Sequence, residues 1–258
     1  MRAGAVGRRD GRLLLATLLL LIGAAARIVL LTDNRFHPDE ALFAALARLI
    51  VSGRDPFLAH TGLLVDKPPL SYYLTAGTIA LVGGGELAAR LPNLFASMLS
   101  LALTWRLARR LWRDSTAANS ALALTALSPF SIAFAPTVFT DPGLVLWLLV
   151  ALVAISYRRW GLGGLGFGLA LATKQTALFF LPLVLVLGLI QNVGLHTGWQ
   201  VVARWMARFV LALGGIVMAL VAWEAVRQAD IGFWLAGVEA NAPGRLIRSA
   251  EVWRRAHT

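Results

Sequence analysis

The fold class this sequence predicts is all-α: a polytopic transmembrane helical bundle of about seven spans, with surface helices in a large first extracytoplasmic loop. Three observations predict it. The first is composition: 58% of the 258 residues are apolar and only 14% are charged, against roughly 45–50% and about 25% in soluble domains. The second is a series of apolar runs near the roughly 20 residues that a bilayer-crossing helix needs. The third is charge placement. The 24 basic residues, 22 arginines with Lys67 and Lys174, fall between those runs, as cations do in polytopic membrane proteins. The net charge of +11 therefore belongs to membrane orientation, and no nucleic-acid partner is expected. With no cysteine, a disulfide scaffold, thiolate catalysis and Cys-ligated metal are excluded.

Residues 13–31 form the first predicted span, preceded by Arg2, Arg8, Arg9 and Arg12 and interrupted by Arg27, whose long side chain is expected to snorkel to the interface. The further apolar runs favour an uncleaved helix over a leader peptide. Later spans are expected at 87–108, 117–135, 143–157, 162–173, 177–190 and 209–226. The glycines of 162–173 predict close helix packing. Residues 70–82, between Pro68-Pro69 and Gly83-Gly84-Gly85, reach only about 20 Å as a helix, short of a hydrocarbon core of about 30 Å. They read as a helix lying on the outer surface.

Orientation supports that reading. With 70–82 not crossing and the N-terminus cytoplasmic, the four N-terminal arginines, Arg106, Arg109, Arg110, Arg113, Arg158, Arg159, Arg204 and Arg208 all fall inside. Only Arg35, Arg48, Arg54, Lys67 and Lys174 fall in outer loops before the tail, in accord with the positive-inside tendency. The predicted organisation is a core over residues 1–227, with an outer loop at about 32–86, and a basic tail over 228–258 carrying Arg245, Arg248, Arg254 and Arg255. That tail lands outside, folded onto lipid headgroups in this reading.

The acids gather on the same side. Asp33, Asp39, Glu40, Asp55, Asp66 and Glu86 lie in the first outer loop, and Asp141 in the next outer turn. Asp33, Asp55 and Glu86 read as solvated loop residues. Asp39 and Glu40 follow Pro38 at the start of a helix whose Leu42, Phe43, Leu46, Leu49 and Ile50 recur at helical spacing. Carboxylates suit the positive end of a helix dipole, and the same position puts a general base at the lipid–water boundary, where it sheds part of its water shell. His37 stands beside the pair, able to tune it or bind. Asp66-Lys67-Pro68-Pro69 presents a compact ammonium suited to a phosphate, next to Tyr72 and Tyr73. Thr140-Asp141-Pro142 and Thr173-Lys174-Gln175 complete an outer-face constellation. No His, Asp or Glu spacing suggests a metal, His60, His196 and His257 included.

The ordered motifs His37-Pro38-Asp39-Glu40-Ala41, Asp66-Lys67-Pro68-Pro69-Leu70 with Tyr72-Tyr73, Glu86-Leu-Ala-Ala-Arg90-Leu-Pro92-Asn93, Leu107-Ala-Arg109-Arg110-Leu, Thr140-Asp141-Pro142 and Gly168-Leu-Ala-Leu-Ala-Thr173-Lys174 resemble the polytopic glycosyltransferases of the protein O-mannosyltransferase and aminoarabinose-transferase type. The resemblance runs from about residue 27 to 182. It implies a GT-C fold and sugar transfer, outside the cytoplasm, from a polyprenyl-phosphate donor to a lipid, glycan or protein acceptor. By the same resemblance Asp39 is the general base, Glu40 supports it, Asp141 positions acceptor or base, and Lys67, beside Asp66, holds the donor phosphate. Arg90 and Lys174 are further phosphate ligands, with His37 and Tyr72 on the substrate side. An inverting displacement follows, with the cations stabilising the leaving phosphate and no cofactor needed. Two departures stand out: Ala41-Leu42-Phe43 replaces the Ala-Arg-Tyr common in relatives, and relatives run longer. The alternatives are a non-catalytic truncated protein or subunit of a larger glycosyltransferase, and a small transporter, which predicts polar groups at mid-membrane.

Overall fold

The computed structural model describes residues 3–31, 36–194, 197–229 and 231–240, with side chains from Gly11 to Glu239. Asp33, Arg35, His196, His257 and the tail arginines lie outside the described residues. Every regular element among them is helical. In chain order these are α1 (Ala3–Val29), α2 (Pro38–Val51), α3 (Leu70–Val82), α4 (Glu86–Trp112), α5 (Ser115–Ala126), α6 (Pro129–Phe134), α7 (Asp141–Ser156) and α8 (Trp160–Thr173). A 3₁₀ turn (Gln175–Phe180) leads into α9 (Leu181–Asn192), followed by α10 (Trp199–Arg227) and α11 (Phe233–Ala240). Four stretches are long and apolar enough to cross a membrane: Gly11–Val29, Glu86–Trp112, Gln175–Asn192 and Trp199–Arg227. Helices α3, α7 and α8 are apolar but shorter.

Local chemistry explains where the helices begin and break. Residues 117–135, expected as one span, divide into α5 and α6. Ser128 Oγ accepts the Ser131 N–H as an N-cap, and Pro129, lacking an N–H, occupies the first helical position. Helix α5 itself is N-capped by Asp114, whose carboxylate accepts the Ala117 N–H at 2.9 Å. That bond holds the Asp114 carboxyl below its usual range. Helix α10 begins ten residues before the expected 209, because Arg204 and Arg208 ride on the helix rather than in a loop.

Three apolar clusters hold the molecule together. Phe43, Leu46, Tyr72, Ala76 and Ile79 join α2, α3 and the start of α4 to Val138. Leu148, Ile155, Trp160, Phe167, Val184 and Phe209 join α7 to α10. Ala16, Leu101, Leu122 and Ala126 join α1, α4 and α5. Glycine makes the second cluster possible: a Cβ on Gly164 would stand 2.1 Å from the Phe209 carbonyl oxygen, and one on Gly163 2.3 Å from Ile155. The expected close packing of 162–173 is found. Outside the clusters, Leu14, Leu21, Leu211 and Met218 are exposed, as side chains solvated by lipid are.

Arg27 does not snorkel. It is fully buried, donating to Ser97 Oγ at 2.8 Å, Ser131 Oγ at 2.6 Å and the carbonyls of Gly23, Thr125 and Ala126. The end of α5 leaves carbonyls without intrahelical partners, and a guanidinium with five donors satisfies them.

Candidate active site

The start of α2 is built by His37, Pro38 and Glu40. Glu40 is buried. Its Oε2 accepts the His37 N–H at 2.9 Å and completes a capping box, and its Oε1 accepts the Val138 N–H at 2.9 Å. One carboxylate thus joins the head of α2 to the turn before α7. The same turn is gripped from α4, where Asn93 Nδ2 donates to the carbonyls of Thr137 and Phe139. Asp141 follows at the first position of α7. Gly143 permits the approach of α8: a Cβ there would lie 3.2 Å from Thr173. Lys174, just past α8, therefore meets Asp141, Nζ to Oδ1 2.7 Å.

The Asp66–Lys67 loop closes over this assembly. The Lys67 ammonium pairs with the Asp66 carboxylate, and Gln175 Nε2 donates to the Asp66 carbonyl at 2.7 Å and to that of Phe233 at 3.2 Å. Helix α11, inside the stretch expected as a basic tail, packs on this loop: a Cβ on Gly237 would stand 2.9 Å from the Asp66 carbonyl oxygen.

Asp39, Asp66, Lys67, Thr140, Asp141 and Lys174 line one cavity of about 270 Å³, with Leu42, Phe43, Leu64 and Phe139 as its apolar walls. Three carboxylates and two ammoniums share it. The Asp39 side chain is 63% exposed, so it keeps more water than the boundary position suggested. His37 accepts the Asp39 N–H at 3.3 Å through Nδ1 and packs against Phe139 with the rings tilted, centroids 5.7 Å apart. A larger apolar groove, about 610 Å³, shares Asp141 and runs between α4, α5, α6 and α7, with Ser97, Ser100, Thr125 and Ser131 among its walls.

Of the residues singled out in the sequence, Asp39, Asp66, Lys67, Asp141 and Lys174 meet in the cavity. Glu40 and His37 stand behind it. Arg90 and Tyr72 are elsewhere: Arg90 is buried, donating to the Leu31 carbonyl at 2.8 Å, 3.6 Å from Glu86, and stacked on Phe36. Tyr72 is buried beneath the Asp66–Lys67 loop, its hydroxyl without a hydrogen-bond partner of normal geometry. Burial, with help from the Asp66 carboxylate and against the nearby Lys67 amide, pushes its phenol well above the ordinary range. Asp55, expected as a solvated loop acid, is buried instead and accepts the N–H groups of Ala59 and His60 at 2.8 and 2.7 Å. Glu86 is half exposed, as expected. Asn93 and Gln175 are the positioning residues that sequence reasoning missed; both lie inside motifs it quoted, and neutral amides carry no charge signal. Among the described residues no cluster of three His, Asp or Glu side chains suits a metal.

Fold and site together define an all-helical membrane protein with paired acids and lysines at one end of its bundle. The family model for dolichyl-phosphate-mannose-protein mannosyltransferases matches residues 66–223, and the chain belongs to that family. It is also similar to proteins named undecaprenyl phosphate-alpha-4-amino-4-deoxy-L-arabinose arabinosyl transferase. The one from Pseudomonas paraeruginosa is 27% identical over 234 residues, 84% of this chain and 41% of the relative. That from Pseudomonas savastanoi pv. phaseolicola is 27% identical over 240 residues, 88% and 43%, and that from Enterobacter sp. strain 638 is 26% identical over 236 residues, 84% and 41%. The chain thus spans about two fifths of the length of these relatives. No solved structure matches it.

Proposed function

We propose that this chain carries the catalytic core of a membrane glycosyltransferase that moves a sugar from a polyprenyl-phosphate donor to a hydroxyl of a lipid, glycan or protein acceptor on the extracytoplasmic side. The observation that carries the reading is the meeting of Asp39, Asp66–Lys67 and Asp141–Lys174 in one cavity, in a chain of a family whose named relatives are transferases for sugars linked to polyprenyl phosphates. Asp39, the carboxylate of the three without a lysine partner, takes the proton of the acceptor hydroxyl. The hydroxyl oxygen bonds to the anomeric carbon from the face opposite the phosphate. The carbon–oxygen bond to the phosphate breaks, its electron pair leaving with the polyprenyl phosphate, and the configuration inverts. Lys67 exchanges Asp66 for that developing charge, and Lys174, held by Asp141, adds a second cation. The groove sharing Asp141 offers an apolar path for a lipid tail.

The layout that goes with this chemistry has about seven crossings, an N-terminus in the cytoplasm, and α2 and α3 on the outer surface within the loop at about 32–86. The core then covers residues 1–227 and the tail 228–258. In its support, the Asp141–Lys174 pair ties the start of α7 to the end of α8, so these two helices form a hairpin with the acids and lysines at one end and the arginines of residues 106–113, 158 and 159 at the other.

Asp39→Asn keeps the shape and removes the base. In membranes carrying wild-type levels of protein and a polyprenyl-phosphate sugar donor, transfer falls by at least about a hundredfold, within the range typical of general-base catalysis. Full turnover by the variant contradicts the role given to Asp39. A wild-type chain that transfers nothing by itself supports the alternative, a subunit needing a further polypeptide.

A further inference from the structure

The far end of the α7–α8 hairpin carries a second lined groove, away from the acids and lysines. Its volume is about 310 Å³, and Arg106 and Arg159 stand at one end of it. The walls are apolar, with Val150, Val153, Leu162 and Leu165 among them. Trp147 and Leu169 mark its upper limit; the ten residues from Arg159 to Leu169 put that limit about 15 Å along the helix from the arginines. A long apolar slot with two cations at one end matches an amphiphile that has an anionic head and an acyl tail.

The charges here are in excess, and Arg106 and Arg110 are held in place. Arg106 and Arg110 hold their guanidiniums over the Tyr157 ring at 5.2 and 4.9 Å, and Arg110 Nε donates to the Ser156 carbonyl at 3.0 Å. Among the described residues, neither Arg106 nor Arg159 lies within ion-pair distance of a carboxylate. Asp114, the acid at this end among the described side chains, is committed to capping α5. Both arginines are exposed, and basic pockets between membrane helices attract anionic headgroups.

We propose that this groove binds an anionic phospholipid, its phosphate between Arg106 and Arg159 and one acyl chain along Val150, Leu162 and Leu165. The site is independent of the transfer reaction. The test uses the full chain in neutral detergent, offered phosphatidylglycerol and phosphatidylcholine with the same acyl chains, with bound lipid read by native mass spectrometry. Wild type retains phosphatidylglycerol about thirtyfold over phosphatidylcholine, the preference two arginines confer. Arg106→Gln with Arg159→Gln abolishes the preference, whereas Arg109→Gln with Arg113→Gln, the same charge loss off the groove, keeps it. Leu165→Trp, at an exposed position, fills the slot and loses phosphatidylglycerol with the charges intact. The Leu165→Trp variant decides the matter if Arg106→Gln/Arg159→Gln does not fold. Equal retention of the two lipids by wild type, an unchanged preference in Arg106→Gln/Arg159→Gln, or full retention in Leu165→Trp overturns the proposal. So does displacement of phosphatidylglycerol by millimolar inorganic phosphate, which would assign the arginines to a soluble anion.

Discussion

Glu40 and Asp39 are neighbours with opposite fates. Glu40 accepts a backbone N–H on each of its carboxylate oxygens and is buried, while Asp39 stands 63% exposed at the cavity wall. Adjacent helix positions point about 100° apart, so one acid builds the site and the other faces it. Their sequence position, straight after Pro38, identified both, but only the Val138 amide separates the roles, and no local pattern encodes a partner 98 residues away. Tyr72 teaches the same lesson. Near Lys67 in sequence it looked like a substrate contact, yet it is core, its hydroxyl without a hydrogen-bond partner of normal geometry. Removing a buried hydroxyl that makes no good bond is nearly neutral: Tyr72→Phe stays within about 0.5 kcal/mol of wild type near neutral pH. Because burial raises the phenol, wild type keeps its stability below the free phenol's value of about 10 and loses it above, as the unfolded chain ionises and the folded one does not. The Phe variant lacks that component of the alkaline loss. Denaturation in detergent across pH checks both; a strong loss of stability in Tyr72→Phe at neutral pH contradicts this account of the site.

At the scale of elements, helix α8 is held by what its glycines omit. The Phe209 carbonyl would lie 2.1 Å from a Cβ at position 164, and it is backbone that cannot turn away. Gly164→Ala is expected to destabilise by about 1–3 kcal/mol, the usual cost of overpacking, seen as a lower melting temperature. Gly161→Ala, where the nearest atom would be 3.9 Å away, stays near wild type. Equal melting of Gly164→Ala and wild type contradicts the packing described. Much of this level was legible: 70–82 emerges as α3 with the bounds read from its flanking prolines and glycines, and the start of α2 falls at Pro38. The division of 117–135 was missed because hydropathy averages over Ser128-Pro129, whose capping breaks the helix. Arg27 was read as an interfacial anchor because its partners, the carbonyls ending α5 and two serines, are distant in the chain.

For the whole molecule, the convergence of Asp39, Lys67 and Asp141 was legible through topology, since arginine asymmetry assigned all three to one face before any contact was known. What topology left out is the fastening: Asn93 from α4, Gln175 after α8 and helix α11 hold the loops by amide and backbone contacts. The absence of cysteine makes sidedness directly measurable. In intact cells, a membrane-impermeant maleimide labels Asp39→Cys but labels Arg159→Cys only after permeabilisation; the reverse pattern contradicts the orientation. Lys67 is the residue proposed to receive the phosphate of a polyprenyl-linked donor in the cavity. The most direct test of that role is binding of a short-chain isoprenyl phosphate to the purified chain, wild type against Lys67→Gln. A charge-assisted contact worth about 1.5–3 kcal/mol predicts affinity at least about tenfold weaker in the variant, whereas equal affinity would contradict the claim.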